Sequence, residues 1–197
     1  LLFSISGIFF YLIFFKISKS LTFSFVSSLI FLLYPYLFGH AQFNPKDIPF
    51  LSFWLINSYI FLTLLENLFY ENKIKIKQII IFSFLTAFLI SIRISGVIIF
   101  IQYFIGIIVL FNIKKIGIFN FIKNHLSTFF IFLTTLFFFI FLLNPILWHN
   151  PLEFINSIKW MSKYFNDICT LTLGDCMKSL NLPASYYFIW FFFKLPI

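Results

Sequence analysis

Long, nearly uncharged stretches dominate this sequence and constrain its fold more than any other feature. A helix that crosses a membrane needs about 20 largely apolar residues, with a range of roughly 17 to 25. Six stretches approach that length, at residues 1–15, 21–38, 48–65, 78–95, 96–111 and 126–143. Backbone groups in hydrocarbon must form hydrogen bonds within their own segment, which favours helices over strands. The sequence therefore predicts an all-α polytopic transmembrane protein.

The ends of the chain and its composition refine this class. A seventh apolar stretch begins near Ala184 and reaches the last residue, while the first residue already lies in an apolar stretch. We therefore expect a fragment of a longer protein, cut at both ends, with residues 1–197 forming one membrane domain. Only 10% of residues are charged, against about a quarter in soluble domains. The net charge of +8 comes from short clusters between apolar stretches, which argues for membrane topology rather than nucleic-acid binding.

Basic residues are concentrated in every second loop. The loops at residues 16–20, 66–77 and 112–125 contain eight lysines, whereas the short loops between them contain only Lys46 and Arg93. Loops rich in lysine and arginine stay on the cytoplasmic side. The segments that we expect to face outward are residues 39–49, 93–96 and 144–186. For a bacterial inner membrane, this outer face is the periplasm or the exterior.

The long outer segment has a pattern typical of a helix at the membrane surface. In Asn150-Pro151-Leu152-Glu153, Asn is placed to cap a helix, Pro to occupy its first position and Glu to close the capping box. Apolar residues then recur at helical spacing, which predicts an interfacial helix. Cys169 and Cys176 follow in a polar stretch, where a disulfide and two free thiols are both compatible with the sequence.

The segment from Gly39 to Pro49 (GHAQFNPKDIP) is the strongest candidate for a functional site. His40, Asn44, Lys46 and Asp47 place an imidazole, an amide, an ammonium and a carboxylate within eight residues. Ionisable groups at a bilayer boundary are costly, so each of them is a candidate for function. The alternative is an ordinary polar turn, in which Asp47 caps the next helix and Lys46 pairs with it.

Arg93 and His149 are further candidates on the predicted outer face. The Arg93 guanidinium suits bidentate contact with a phosphate, and Gly96 would allow close approach of the backbone. The alternative for Arg93 is a side chain that extends to the lipid headgroups. A single histidine at the membrane boundary, such as His149, is more often structural.

Four segments together resemble a known family. They are GHAQFNPKDIPF, IRISG, NPILWHNPLEF and LPASYYFIWFFFKLPI, at residues 39–50, 92–96, 144–154 and 182–197. In this order they are similar to the bacterial dolichyl-phosphate-mannose-protein mannosyltransferase-like group of GT-C membrane glycosyltransferases. The chain departs from that pattern at Ala184, where an aromatic residue is common, and at Lys194, where a neutral residue is usual.

The resemblance implies an inverting glycosyltransferase that takes a sugar from a polyprenyl-phosphate donor and passes it to a lipid or protein acceptor among the membrane lipids. It implies that Asp47 is the catalytic-site acid that orients the acceptor or a divalent metal ion. Lys46 and Arg93 would neutralise the donor phosphate, while His40 and Asn44 would shape the site. It also implies a further acidic residue in an earlier outer loop, which we expect upstream of Leu1.

A transporter of lipids or glycolipids is the alternative function. Such a protein would bind the same phosphate headgroup without chemistry. Inverted internal repeats would favour transport, whereas an acidic residue in the earlier outer loop would favour the enzyme.

Overall fold

The computed structural model describes residues 1–68, 74–114, 118–163, 169–172, 174–178 and 181–194, and these residues are mostly helical. The helices are α1 (Leu2–Ser18), α2 (Leu21–Leu33), α3 (Pro35–Phe43), α4 (Asp47–Glu66), α5 (Ile76–Ile92), α6 (Ile99–Lys114), α7 (Ile118–Leu143), α8 (Ile146–His149), α9 (Glu153–Lys163) and α10 (Tyr186–Lys194). A short 3₁₀ helix, Ile94–Ile98, connects α5 to α6. Strands β1 (Cys169–Thr172) and β2 (Asp175–Lys178) form an antiparallel hairpin.

Three of the described helical segments are long and apolar enough to cross a membrane. They are Asp47–Glu66, Ile94–Ile113 and His125–Leu143, of 20, 20 and 19 residues. A fourth crossing results if α2 and α3, which meet at an angle of 55°, together form one span. α1 and α5 are apolar but have only 17 residues each. The helical membrane class is therefore supported, but the predicted six spans and truncated seventh are not confirmed.

The bend between α2 and α3 has a cause in the sequence. Pro35 lacks an N–H group and pushes the preceding residue out of the helical conformation, so Tyr34 is extended with ψ 114°. Pro35 then occupies the first turn of α3, where proline is favoured. α3 therefore begins at Pro35 and continues to Phe43. The prediction of a loop over 39–49 was therefore wrong, because only residues 44–46 connect α3 to α4.

Other predicted loops also differ from the structure. α6 continues to Lys114 and α7 begins at Ile118, so most of the predicted loop 112–125 is helical. In the predicted loop 66–77, residues 69–73 lie outside the described part. The segment 93–96 enters the 3₁₀ helix.

The segment predicted to face outward contains a β-hairpin, which the all-α prediction did not include. Residues 169–172 favour a strand because β-branched threonines alternate along it. Gly174, with φ 95°, supplies the left-handed conformation in the connection to β2. Cys169 and Cys176 form a disulfide across the two strands, which resolves the alternative left open by the sequence.

The helix predicted after Asn150 is present as α9. Asn150 Oδ1 accepts a hydrogen bond from the Leu152 N–H at 3.1 Å, and its amide donates to Glu153 Oε1 at 3.0 Å. Pro151 lies in the turn before the helix rather than inside it. Ile155, Ile158 and Trp160 are exposed large apolar side chains on α9. Contact of these side chains with a membrane surface stays a prediction.

Small residues allow the first two helices to pack closely. A Cβ atom on Gly7 would lie 2.6 Å from the Leu32 side chain. Ser28 donates a hydrogen bond to the Gly7 carbonyl at 2.9 Å. Small residues and interhelical hydrogen bonds of this kind are typical of helix packing in membranes.

α4, α5, α6 and α7 pack around a shared apolar core, and α4 also packs against α1. This core includes Phe61 and Leu65 of α4, Phe82 and Leu89 of α5, and Tyr103 of α6. α4 and α5 run antiparallel, so the start of α4 meets the end of α5. The candidate site lies at this junction.

Candidate functional site

An ion pair joins the two helix ends at the junction of α4 and α5. Asp47 is the first residue of α4, and Arg93 directly follows the last residue of α5. Arg93 Nη1 pairs with Asp47 Oδ1, across 46 positions of sequence. The two side chains are 43% and 49% exposed, so the pair is accessible to ligands. The start of a helix also favours the negative charge of Asp47 through the aligned peptide dipoles.

Asn44 organises the connection between α3 and α4 by four hydrogen bonds. Its Oδ1 accepts from the backbone N–H groups of Lys46 at 3.2 Å and Asp47 at 2.8 Å. Its Nδ2 lies 2.8 Å from Asp47 Oδ2 and 3.1 Å from His40 Nδ1. An amide has two N–H donors and two acceptor positions, so this side chain is fully used. Asn44 therefore fixes the position of the Asp47 carboxylate relative to α3.

His40, on α3, contacts Asn44 and so helps to position the Asn44 side chain. The Asn44 amide nitrogen can only donate, so His40 Nδ1 is the acceptor of this hydrogen bond. The ring centroid of His40 lies 4.3 Å from that of Tyr36 and 5.1 Å from that of Phe43. These contacts make His40 a positioning residue for Asn44.

Arg93 is held in place by contacts besides the ion pair. Its Cζ atom lies 5.9 Å from the centroid of Phe50, one turn after Asp47 on α4, which is within the range of a cation–π contact. The Gly96 N–H donates to the Arg93 carbonyl at 2.8 Å. A Cβ atom on Gly96 would lie 3.0 Å from the Leu89 carbonyl oxygen, so the predicted close backbone approach is confirmed.

An open cleft of about 530 Å³ lies beside the ion pair. Its lining consists of both helix ends and the connection before α4: Asn44, Pro45, Lys46, Asp47, Ile92, Arg93 and Ile94. Lys46 is exposed and, in the described residues, is not part of any ion pair. Two cations beside one carboxylate leave one net positive charge in the lining. A guanidinium and an ammonium in such a cleft suit an anion with several oxygens, such as a phosphate.

The donor set does not fit a divalent metal ion. No group of three or more His, Cys, Asp or Glu side chains occurs in the described part of the chain. Asp47 is the only carboxylate in the lining, and its two oxygens already accept from Arg93 and Asn44. Magnesium and calcium ions require several oxygen ligands, so the predicted role of Asp47 as a metal ligand has no support in this geometry.

The structure thus brings four of the five predicted site residues to one cleft. These are Asn44, Lys46, Asp47 and Arg93, while His40 contacts Asn44 outside the lining. The alternative of an ordinary polar turn would pair Lys46 with Asp47, whereas in the structure Asp47 pairs with Arg93 at the end of the neighbouring helix. His149 ends α8 and lies outside the cleft. We call Asn44, Asp47 and Arg93 the end cluster.

A second polar cluster lies deeper between the helices and was missed by the sequence reasoning. Thr86 Oγ1 donates to Asn57 Oδ1 at 3.1 Å and lies 3.1 Å from the Tyr103 hydroxyl. The Asn57 amide donates to the carbonyl oxygens of Phe53 and Leu85. We call Asn57, Thr86 and Tyr103 the buried cluster. Asn57, a polar residue inside an apolar stretch, is the sequence signal that could have indicated this cluster.

Comparison of the chain with protein-family models, curated proteins and solved structures gave no match. The resemblance to the mannosyltransferase-like group therefore stays a hypothesis, and so do the roles that it implies for the end cluster.

Proposed function

We propose that this chain is part of a membrane glycosyltransferase that transfers a sugar from a polyprenyl-phosphate donor to a lipid or protein acceptor. The observation that carries the proposal is the accessible Asp47–Arg93 ion pair beside Lys46 in one cleft at the ends of apolar helices. The phosphate of a membrane-anchored lipid lies at the membrane surface, where the ends of spanning helices also lie. The four resembling segments connect this chemistry to sugar transfer.

The cations have a direct role in such a reaction. The acceptor oxygen attacks the anomeric carbon from the side opposite the phosphate, and the bond between that carbon and the phosphate oxygen breaks. The electron pair of this bond stays with the phosphate, whose negative charge increases as it leaves. Arg93 and Lys46 stabilise this charge, and preorganised groups of this kind lower the barrier most where charge develops.

Asp47 orients the acceptor in this proposal. A carboxylate has about four lone-pair positions, and contacts with Arg93 and Asn44 occupy two of them. The others can accept a hydrogen bond from the acceptor hydroxyl. The acceptor proton would pass to a further carboxylate, which the resemblance places upstream of Leu1.

The proposal includes a specific topology. Six spans and a seventh, incomplete one would cross a bacterial inner membrane, with the cleft on the periplasmic or exterior side. The support is the alternation of lysine-rich and lysine-poor loops.

The direct test is sugar transfer by the full reading frame with polyprenyl-phosphate sugars as donors. Asp47→Asn and Lys46→Ala should each lower transfer at least tenfold, while Lys159→Ala, on α9 outside the cleft, serves as the matched control. Full activity in both cleft variants would overturn the assignment of the site.

Transport of a lipid or glycolipid is the second candidate. The feature that favours it is that the Asp47 carboxylate is already paired with Arg93, and the described residues of the cleft lining supply no second carboxylate to act as a general base. Reconstituted protein that moves a fluorescent polyprenyl-phosphate sugar across vesicles, without consuming it, would establish transport.

A further inference from the structure

The Asp47–Arg93 ion pair engages the same guanidinium that a phosphate in the cleft would bind. Both side chains line the cleft, and so does Lys46. The pair is made by one contact, from Arg93 Nη1 to Asp47 Oδ1, and both side chains are almost half exposed. A guanidinium held through one nitrogen can turn its other N–H groups toward a partner that offers two oxygens. Asp47 and a phosphate therefore compete for Arg93.

The two partners of the ion pair differ in how firmly they are held. Asp47 is the first residue of α4, and Asn44 binds both its backbone N–H and its Oδ2, each at 2.8 Å. In the described part of the chain, the Arg93 guanidinium has one further contact, with the Phe50 ring at 5.9 Å. This distance is close to the limit of a cation–π contact. When the pair opens, Arg93 can therefore move while Asp47 stays in place.

A phosphate offers Arg93 a stronger partner than Asp47 does. Water screens the charges of an exposed ion pair, so the pair is only weakly stabilised. A phosphate can instead bind the guanidinium through two parallel hydrogen bonds. It also meets the exposed Lys46 ammonium in the same lining, which forms no ion pair within the described residues. Both differences favour exchange of the carboxylate for the phosphate.

We propose that the Asp47–Arg93 ion pair is an autoinhibitory contact that a phosphoryl group opens. The phosphate takes Arg93 from Asp47, and Asp47 Oδ1 then becomes available to the acceptor hydroxyl. Asn44 keeps the carboxylate at the start of α4 during this exchange. The inference rests on the proposed function, because it concerns the same cleft, and it adds an order of events: donor binding exposes the group that receives the acceptor.

The test is the affinity of farnesyl phosphate for the protein from the full reading frame, measured by isothermal titration in detergent. Asp47→Asn removes the competitor and keeps the shape of the side chain. The affinity should rise roughly fivefold, which corresponds to the upper value for an exposed ion pair. A misfolded variant cannot produce such a gain. The matched control is Asp175→Asn, which removes the same charge from β2 outside the cleft lining and should raise affinity less than about twofold. Unchanged or weaker binding by Asp47→Asn, or an equal gain in the control, would overturn the proposal.

A double variant distinguishes competition from direct repulsion between Asp47 and the phosphate. Competition requires the guanidinium, so Asp47→Asn introduced into Arg93→Gln should change affinity less than about twofold. Repulsion does not require it. A fivefold gain that persisted in the Arg93→Gln protein would therefore contradict the autoinhibitory role.

Inorganic phosphate separates failure of this proposal from failure of the proposed function. The competition concerns phosphoryl oxygens, so Asp47→Asn should raise the affinity for inorganic phosphate by a factor similar to that for farnesyl phosphate. A gain confined to farnesyl phosphate would contradict the competition. In the native protein, tighter binding of farnesyl phosphate than of inorganic phosphate would support a lipid-linked donor. Equal binding of the two would contradict that donor but would agree with the exchange at Arg93.

Discussion

The end cluster and the buried cluster both involve α4 and α5, but they differ in exposure and in hydrogen-bond partners. Asn57 lies ten residues after Asp47, about 15 Å further along α4. Asn57 and Thr86 are fully buried, and their hydrogen bonds end on one another, on Tyr103 and on backbone carbonyls. Asp47 and Arg93 are almost half exposed beside an open cleft.

The difference shows which polar groups are available to a ligand. In the buried cluster the partners are all supplied by the bundle, so the cluster acts on helix packing. In the end cluster the described residues use one of the five N–H donors of Arg93. Polarity in an apolar helix is therefore a sign of packing or of binding, and accessibility decides between them.

The largest expected effect is on binding, through Arg93. Arg93→Gln removes the guanidinium, so binding of a polyprenyl phosphate, measured by isothermal titration in detergent, should weaken on the order of 10- to 100-fold. Arg93→Lys keeps the charge without the bidentate geometry and should give an intermediate loss. Stability should change by less than about 1 kcal/mol, because an exposed ion pair contributes little. If Arg93→Gln bound the polyprenyl phosphate with unchanged affinity, the end cluster could no longer be assigned to ligand binding.

The buried cluster should show the opposite pattern. Asn57→Ala leaves a small void and removes the partner of Thr86, so the free energy of unfolding in detergent should fall by about 2 kcal/mol. Asn112→Ala, at an exposed position on α6, is the matched control and should stay within about 0.5 kcal/mol of the native chain. Affinity for the phosphate ligand should be unchanged in both. A stable Asn57→Ala protein that had lost affinity would reverse the roles of the clusters.

Asn44 connects stability to the site and should affect each moderately. Asn44→Ala removes the acceptor for two N–H groups at the start of α4, which should cost about 1 kcal/mol in thermal unfolding. Asn44→Asp keeps this acceptor but places a second carboxylate beside Asp47, so it should preserve stability better than Ala while weakening anion binding. Equal stability of the two variants would show that the cap contributes nothing.

The smallest expected effect is the coupling between Trp54 and Gln102. Trp54 Nε1 donates to Gln102 Oε1 at 2.7 Å, and Gln102 donates to Ser58 Oγ at 2.8 Å. A double-mutant cycle of Trp54→Phe and Gln102→Leu should give about 0.6 kcal/mol, a typical value for such bonds between membrane helices. A coupling near zero would show that this contact is incidental to packing.

Much of the helical framework could be predicted because apolar length is a local property. Helices occur in all six predicted stretches, and the start at Asp47 lies within one residue of the predicted boundary. The helix through Phe43 was missed because polar residues around His40 were interpreted as a loop. Pro35, which begins this helix, was a signal in the sequence that went unused.

The sequence indicated which residues form the site, but it did not indicate which of them form the ion pair. Lysine alternation predicted that Asp47 and Arg93 lie on the same side of the membrane, and the structure places them at the same end of the helix bundle. Their contact depends on the lengths of α4 and α5 and on how these helices pack, which sequence spacing does not reveal. Lys46 is the cation nearest to Asp47 in sequence. The antiparallel packing of α4 and α5 instead brings Arg93, 46 positions away, into contact with Asp47. The functional roles of these residues remain predictions.

The four hydrogen bonds of Asn44 limit which residues evolution can place there. Aspartate offers acceptors where His40 and Asp47 require donors, serine has a single donor, and glutamine adds a methylene that changes the reach. In related sequences that keep a histidine, an aspartate and an arginine at positions 40, 47 and 93, we therefore expect asparagine at position 44 almost without exception. In sequences without an arginine at position 93, we expect residues other than asparagine at position 44 more often.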